Sequence, residues 1–255
     1  MVSIKKVISI MTGLLPLLGC ITVSDNPKAE VKSDPIEMSE SRIELGLGYL
    51  QRGNLPKARE NLEKALKHSP DYYRAQISMA HYFDTVGETD RANKLYRTSL
   101  RHHPKNGNVL NNYGTFLCKQ GEFDLADDYF NRAIKQPYYY LVSASYENAA
   151  LCALKAGKKN KASYYFQRTL DHDPYRARSI LQLSKLEIQN DDLSKARLRL
   201  IGFHQHFGVH IASLKLLIEL ETKAGNTSLK NKYENLLNQL IVNSKHGYSI
   251  AVNLA

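Results

Sequence analysis

A period of 34 residues constrains this chain more than any other feature. Gly53 and Gly87 stand 34 apart, as do Gly87 and Gly121, Ala58 and Ala92, Pro70 and Pro104, Ala162 and Ala196, and Asp191 and Gly225. Gly157 follows Gly121 by 36, and the two extra residues fall around Pro137-Tyr138-Tyr139-Tyr140. A fixed period of this length is the mark of a stacked repeat, in which no unit can bury its apolar face alone. Within each unit the apolar spacing predicts two amphipathic helices. Turns are expected near Gly53, Gly87, Gly121, Gly157, Asp191 and Gly225, where glycine accepts a positive φ. A small residue (Ala58, Ala92, Ala126, Ala162, Ala196) lets the paired helices approach. The apolar residue four later (Leu62, Tyr96, Phe130, Phe166, Leu200) fills the adjoining groove. Pro70, Pro104 and Pro174 stop the second helix. Pro137 sits one place early, and Gly208 takes that role in the fifth unit.

The composition agrees with a folded repeat array. Of 255 residues, 43% are hydrophobic and 24% charged, which excludes general disorder and a polytopic membrane protein. The formal net charge is +10. Its cations are interleaved with acids, as in Lys57–Arg59–Glu60–Glu63–Lys64, which reads as a solvated helix face rather than a nucleic-acid footprint. No phosphate loop, HExxH, GxSxG or CxxC is present, so neither an enzyme nor a cofactor is expected. His204-x-His206-x3-His210 is interrupted by Gly208, which removes the single-face spacing a helical metal site needs. Cys118 and Cys152 lie in first helices of neighbouring units. They are expected as buried thiols packing as small apolar residues, with a disulfide as the alternative.

The first residues do not share the repeat. Lys5 and Lys6 precede an apolar run, Val7 to Leu18, too short to span a bilayer. The run ends Leu17-Leu18-Gly19-Cys20, which resembles a bacterial lipobox, with Leu18 a departure from the usual small residue. That resemblance implies a signal peptide over 1–19 and a lipid on Cys20. Ile21 next to the Cys implies outer-membrane sorting, with anchoring on the periplasmic face. Residues 20–38, polar and containing Pro27 and Pro35, are expected as a flexible tether.

Leu45-Gly46-x2-Tyr49, followed by Ala58, Leu62, Ala65 and Pro70, resembles the tetratricopeptide repeat. The expected fold is all-α, a right-handed superhelical solenoid of six helix-turn-helix units over 39–242. The units are 39–71, 72–105, 106–141, 142–174, 175–208 and 209–242, with a tail at 243–255. Lys230 and Glu234 replace the small and aromatic residues of the sixth unit, as a polar capping repeat would. The same resemblance lines the concave wall with first helices. It offers Ile43, Leu47 and Leu50 from unit one, Ile77 and His81 from unit two, Asn111 and Asn112 from unit three, and Glu147, Asn148 and Leu151 from unit four. Leu47 and Leu50 suggest an apolar patch. Asn112 and Asn148 share one repeat position, and an amide there can donate to and accept from a peptide backbone. The plainer alternative is that these amides tie neighbouring helices together.

Three stretches carry a narrower resemblance: Glu44-Leu45-Gly46-Leu47-Gly48-Tyr49-Leu50-Gln51-Arg52-Gly53-Asn54, Val109-Leu110-Asn111-Asn112-Tyr113-Gly114-x-Phe116-Leu117, and Ser145-Tyr146-Glu147-Asn148-Ala149-Ala150. With the lipobox and six repeats, they resemble the PilF/PilW family of type IV pilus biogenesis lipoproteins. The resemblance implies a monomeric pilotin that brings the secretin PilQ to the outer membrane and promotes its multimerisation. The residues by themselves leave open a general periplasmic scaffold for another envelope complex, such as one for peptidoglycan synthesis.

Overall fold

A computed structural model of the chain describes residues 34–252, and the side chains of 34–242. The expected signal peptide, Cys20 and the tether through residue 33 lie outside the described residues. Twelve helices pair in chain order among the described residues. They are α1 (Pro35–Gln51) with α2 (Leu55–His68), α3 (Tyr73–Thr85) with α4 (Thr89–His102), and α5 (Gly107–Lys119) with α6 (Phe123–Ile134). Then follow α7 (Val142–Lys155) with α8 (Lys159–His172), α9 (Ala177–Gln189) with α10 (Leu193–Phe207), and α11 (Ile211–Lys223) with α12 (Thr227–Val252). This is the all-α, six-unit repeat that the period predicts. Two boundaries move. Helix α1 begins at Pro35 rather than 39, because proline suits a first helical turn. Ser39 is then fully buried, and its Oγ donates to the Ala65 carbonyl at 3.1 Å. Helix α12 runs past 242 to Val252, where the repeat pattern predicts only a tail.

Each pair closes on the small residues. Ala58, Ala92, Ala126, Ala162 and Ala196 are all fully buried, and a larger side chain there would push the helices apart. Glycine serves the same approach from the first helix. A Cβ on Gly46 would lie 2.6 Å from Leu62 Cγ, and one on Gly114 would lie 2.9 Å from Phe130 Cε1. The turns at Gly53, Gly87, Gly121, Gly157 and Gly225 all have positive φ, and Asp191 adopts the same conformation at 65° without being glycine. Lys223 Nζ, 2.7 Å from Asp191 Oδ1, holds that turn.

Successive first helices contact one another, α1 with α3, α3 with α5, α5 with α7 and α9 with α11. Second helices meet chiefly the first helices on either side. The stack therefore bends toward its first helices, whose free faces form a concave wall. A recurring lysine fixes that stacking. Lys119 Nζ lies 2.6 Å from Asp84 Oδ2, Lys155 Nζ donates to the Cys118 and Lys119 carbonyls at 3.2 and 3.0 Å, and Lys223 Nζ donates to the Ile188 carbonyl at 2.8 Å. Each places a cation at the C-terminus of the preceding first helix, where the dipole favours it. Ion pairs with buried carboxylates add to this in the last units. Arg197 binds Glu221 at 2.7 and 2.9 Å and so joins unit five to unit six. Arg199 binds Glu187 at 3.1 and 2.8 Å and so closes unit five on itself.

The expectation of two free thiols is corrected. Cys118 and Cys152 form a disulfide, with Cα atoms 5.8 Å apart. The physical reason is the stacking register. Asp84 and Cys118 occupy one repeat position, and that position faces the next first helix, Asp84 onto Lys119 and Cys118 onto Cys152.

Two stability outcomes follow from this packing. Gly114→Ala should destabilise the fold by about 1–3 kcal/mol through overpacking against Phe130 and the Ala126 carbonyl. Gly48→Ala, whose Cβ meets nothing within 4 Å, should be neutral or stabilising. Urea unfolding of both variants checks the contrast. Replacing Cys118 and Cys152 with Ser should lower stability by roughly 2–4 kcal/mol, and reductant should then leave the variant's unfolding midpoint unchanged.

Candidate functional site

The concave wall is built from the free faces of α1, α3, α5 and α7, continued by α9. At its first unit the structure corrects the sequence reading. Ile43 is fully buried with Ala65 and Ala75, and Leu50 is 9% exposed within the main core. Neither is offered to a partner. Leu47 is half-buried and packs on both core clusters. The expected apolar patch is therefore largely interior, because α1 has one neighbour in α2 and a second in α3. In its place the wall presents Glu40, which pairs with Arg74 at 2.6 Å and accepts a hydrogen bond from Tyr72 OH.

Further along, Ile77 is half-buried and His81 reaches the surface. Partial burial of the ring, then the Lys119 charge, hold the His81 pKa below its ordinary value. At neutral pH its imidazole is uncharged, able both to donate and to accept. Asp84 beside it is committed to Lys119.

The centre of the wall is an amide and hydroxyl network. Tyr139 OH donates to Ser145 Oγ at 2.8 Å, and Ser145 Oγ donates to Asn111 Oδ1 at 3.0 Å. Asn148 Nδ2 donates to the same Asn111 oxygen at 3.1 Å. Asn111 and Asn148 thus tie α5 to α7, as the plainer alternative holds. Asn112 instead donates from Nδ2 to the Asn108 carbonyl of its own helix at 2.8 Å. Asn108 reaches back to Tyr73 OH at 3.4 Å. The Oδ1 atoms of Asn112 and Asn148 have no hydrogen-bond partner among the described residues, although both side chains are half-buried. Two acceptors at one repeat position are left unpaired among the described residues.

The last sequence candidates are more committed. Glu147 accepts from Arg176 Nη1 at 3.1 Å and from Ser179 Oγ at 2.8 Å, bridging α7 to α9. Leu151 packs half-buried on the main core. Sequence reasoning missed Ser145, Ser179 and Arg176 because their roles depend on inter-repeat contacts. The repeat position of Ser145 relative to Asn148 was the available signal. Among the described residues no group of three metal-ligating side chains converges. The three histidines of 204–210 go elsewhere: His204 bonds Ser213 Oγ at 2.7 Å, His206 stacks on Tyr175, and His210 Nε2 bonds the Phe207 carbonyl at 2.9 Å.

The comparisons agree with this geometry. Residues 39–72, 95–128 and 117–178 match the tetratricopeptide repeat family. An uncharacterised protein of Haemophilus influenzae is 38% identical over 133 residues, covering 52% of this chain and 72% of the relative. The type IV pilus assembly protein PilF of Pseudomonas aeruginosa is 33% identical over 204 residues, covering 80% of this chain and 81% of the relative. A solved structure of Pseudomonas aeruginosa PilF superposes with a TM-score of 0.69 at 30% identity, covering 86% of this chain and 99% of that one. The crystal structure of PilW, described as a widely conserved type IV pilus biogenesis factor, has the same fold. Its TM-score is 0.68 at 24% identity, covering 79% of this chain and 92% of that one. With its six stacked units and these relatives, the chain belongs to the PilF/PilW family of tetratricopeptide-repeat proteins of type IV pilus assembly.

Proposed function

We propose that this protein is an outer-membrane pilotin: a lipoprotein, acylated on Cys20, that holds a segment of the secretin PilQ on its concave wall and promotes its localisation and ring assembly. Family membership supports the pilus role. Among the described residues no helix is long and apolar enough to cross a membrane, so in this reading the bilayer connection belongs to the lipid. The observation that carries the binding mode is the pair of unpaired acceptors, Asn112 Oδ1 and Asn148 Oδ1. Their spacing by one repeat suits the N–H groups of an extended peptide, and His81 and Ile77 continue the same wall toward unit two.

The work is binding without turnover. Anchored subunits that each hold one secretin chain raise the local secretin concentration at the membrane, which favours a ring over dispersed monomers. The wall supplies hydrogen bonds to a backbone, and the lipid supplies the address.

Each lost hydrogen bond of this kind removes about 0.5–1.5 kcal/mol. The double variant Asn112→Ala, Asn148→Ala should therefore weaken secretin capture by roughly 5- to 150-fold. Cys20→Ala should leave capture intact and move the secretin ring from the outer membrane. Pull-down of the secretin with each variant, alongside thermal unfolding, makes the check. Undiminished capture by a double variant of unchanged stability would remove the wall from the mechanism.

A further inference from the structure

The loops that lead from each second helix to the next first helix all lie on one edge of the solenoid, because the first helices stack parallel to one another. That edge carries an unusual set of side chains. Between α6 and α7, Tyr138 is fully exposed and Tyr140 is 81% exposed, with Leu141 beside them. Between α8 and α9, Tyr175 is 61% exposed and stacks on His206 with ring centroids 3.9 Å apart. Val209, between α10 and α11, and Ile211, the first residue of α11, are exposed. Neighbouring loops of a stacked array are separated by about one helix spacing, roughly 8–10 Å, so these tips form a row.

The first of these loops is held rigid. Tyr139 is buried, its ring fills the notch left by Gly107, and its hydroxyl joins the Ser145 network. Tyr138 next to it has φ 61°, a left-handed conformation that costs a non-glycine residue about 1–2 kcal/mol. The fold itself gains nothing from the exposed rings on either side of that anchor. Strain that serves to present a side chain is a mark of use at that place.

The exposed carboxylates of this edge that lack a lysine or arginine partner among the described residues, Glu37 and Asp71, lie at its first-unit end, away from the tyrosine loops. Loops 103–106, 135–141 and 208–210 contain no Asp or Glu. Asp173, beside Tyr175, pairs with Arg176 at 3.1 Å, a guanidinium it shares with Glu147. Arg101, Lys105 and Lys135 stand at this edge without an ion pair among the described residues. Helix dipoles account for cations at the ends of second helices. They do not account for tyrosine, valine and isoleucine at the loop tips. Projecting amphipathic tips among unpaired cations complement a fluid anionic surface better than a shaped protein partner, which would need a recessed pocket. Helix α1 also begins on this same edge, at Pro35.

We propose that this edge, from Tyr138 to Ile211 with Lys105 and Lys135, lies against an anionic phospholipid surface. The tyrosine tips sit at headgroup depth, and the concave wall is left open to its partner. The orientation rests on the anchoring proposed above, and the test separates the two. The chain contains no tryptophan, so Tyr140→Trp gives a single indole reporter. The full-length variant is reconstituted with phosphatidylethanolamine–phosphatidylglycerol vesicles, and flotation reports anchoring independently of the edge. The expected result is a blue shift of the indole emission from position 140 and its quenching by lipids brominated high on the acyl chain. Lys105→Glu with Lys135→Glu should reduce both. Tyr164→Trp, at an exposed site on α8 away from the loops, should show neither. Floated protein whose reporter at position 140 keeps its water-exposed emission would overturn the proposal. So would an equal response at position 164, or a shift produced by polyglutamate peptide and not by vesicles.

Discussion

Everything in this structure depends on two helices being able to touch closely at one point per repeat. The fully buried alanines at 58, 92, 126, 162 and 196, with Gly46 and Gly114 opposite, permit that contact. Once it is made, the aromatic or leucine four residues later is forced into the neighbouring groove, and the repeat acquires a fixed rise and turn. The lysine at the end of α5, α7 and α11 then seats each first helix on the carbonyl end of the one before. Close pairing sets the unit, and the lysine and the Cys118–Cys152 bridge set the stacking.

In the proposed function, binding uses what the stacking leaves over. Polar side chains on first helices divide into those consumed by the next helix and those that keep an unused atom. Asn111, Ser145 and Glu147 are consumed. Asn112 and Asn148 each donate from Nδ2 and keep an unpaired Oδ1 among the described residues. A wall of this kind is stiff, because its residues are already bonded on one side. Little ordering is then needed when a partner arrives, which favours affinity.

The fold is legible in the sequence because a 34-residue period leaves little freedom. Gly53, Gly87, Gly121 and Gly157 mark turns that only a positive φ can make, and the alanines mark the contacts. Asp191 is readable as a turn only through its place in the period. The site is less legible. Leu47 and Leu50 read as an exposed patch, and Ile43 as a wall residue beside them, since a sequence does not show that α3 closes over that part of α1. The disulfide is hidden for a related reason. Whether two cysteines in adjacent units meet depends on helix rotation, and the Asp84–Lys119 pair reveals that rotation only once the units are stacked. The Pro137–Leu141 insertion is visible as a break in the period. Its buried Tyr139 and exposed neighbours are not separable by pattern, all three being tyrosine.

The central claim is that this chain assembles a pore protein by holding it at a membrane. It is tested most directly in a strain lacking the gene, by probing isolated outer membranes for the detergent-resistant secretin multimer, with a complemented strain beside it. The account predicts that the multimer disappears while secretin monomer persists, and that complementation restores the ring. An intact multimer in the outer membrane of the deletion strain would contradict it.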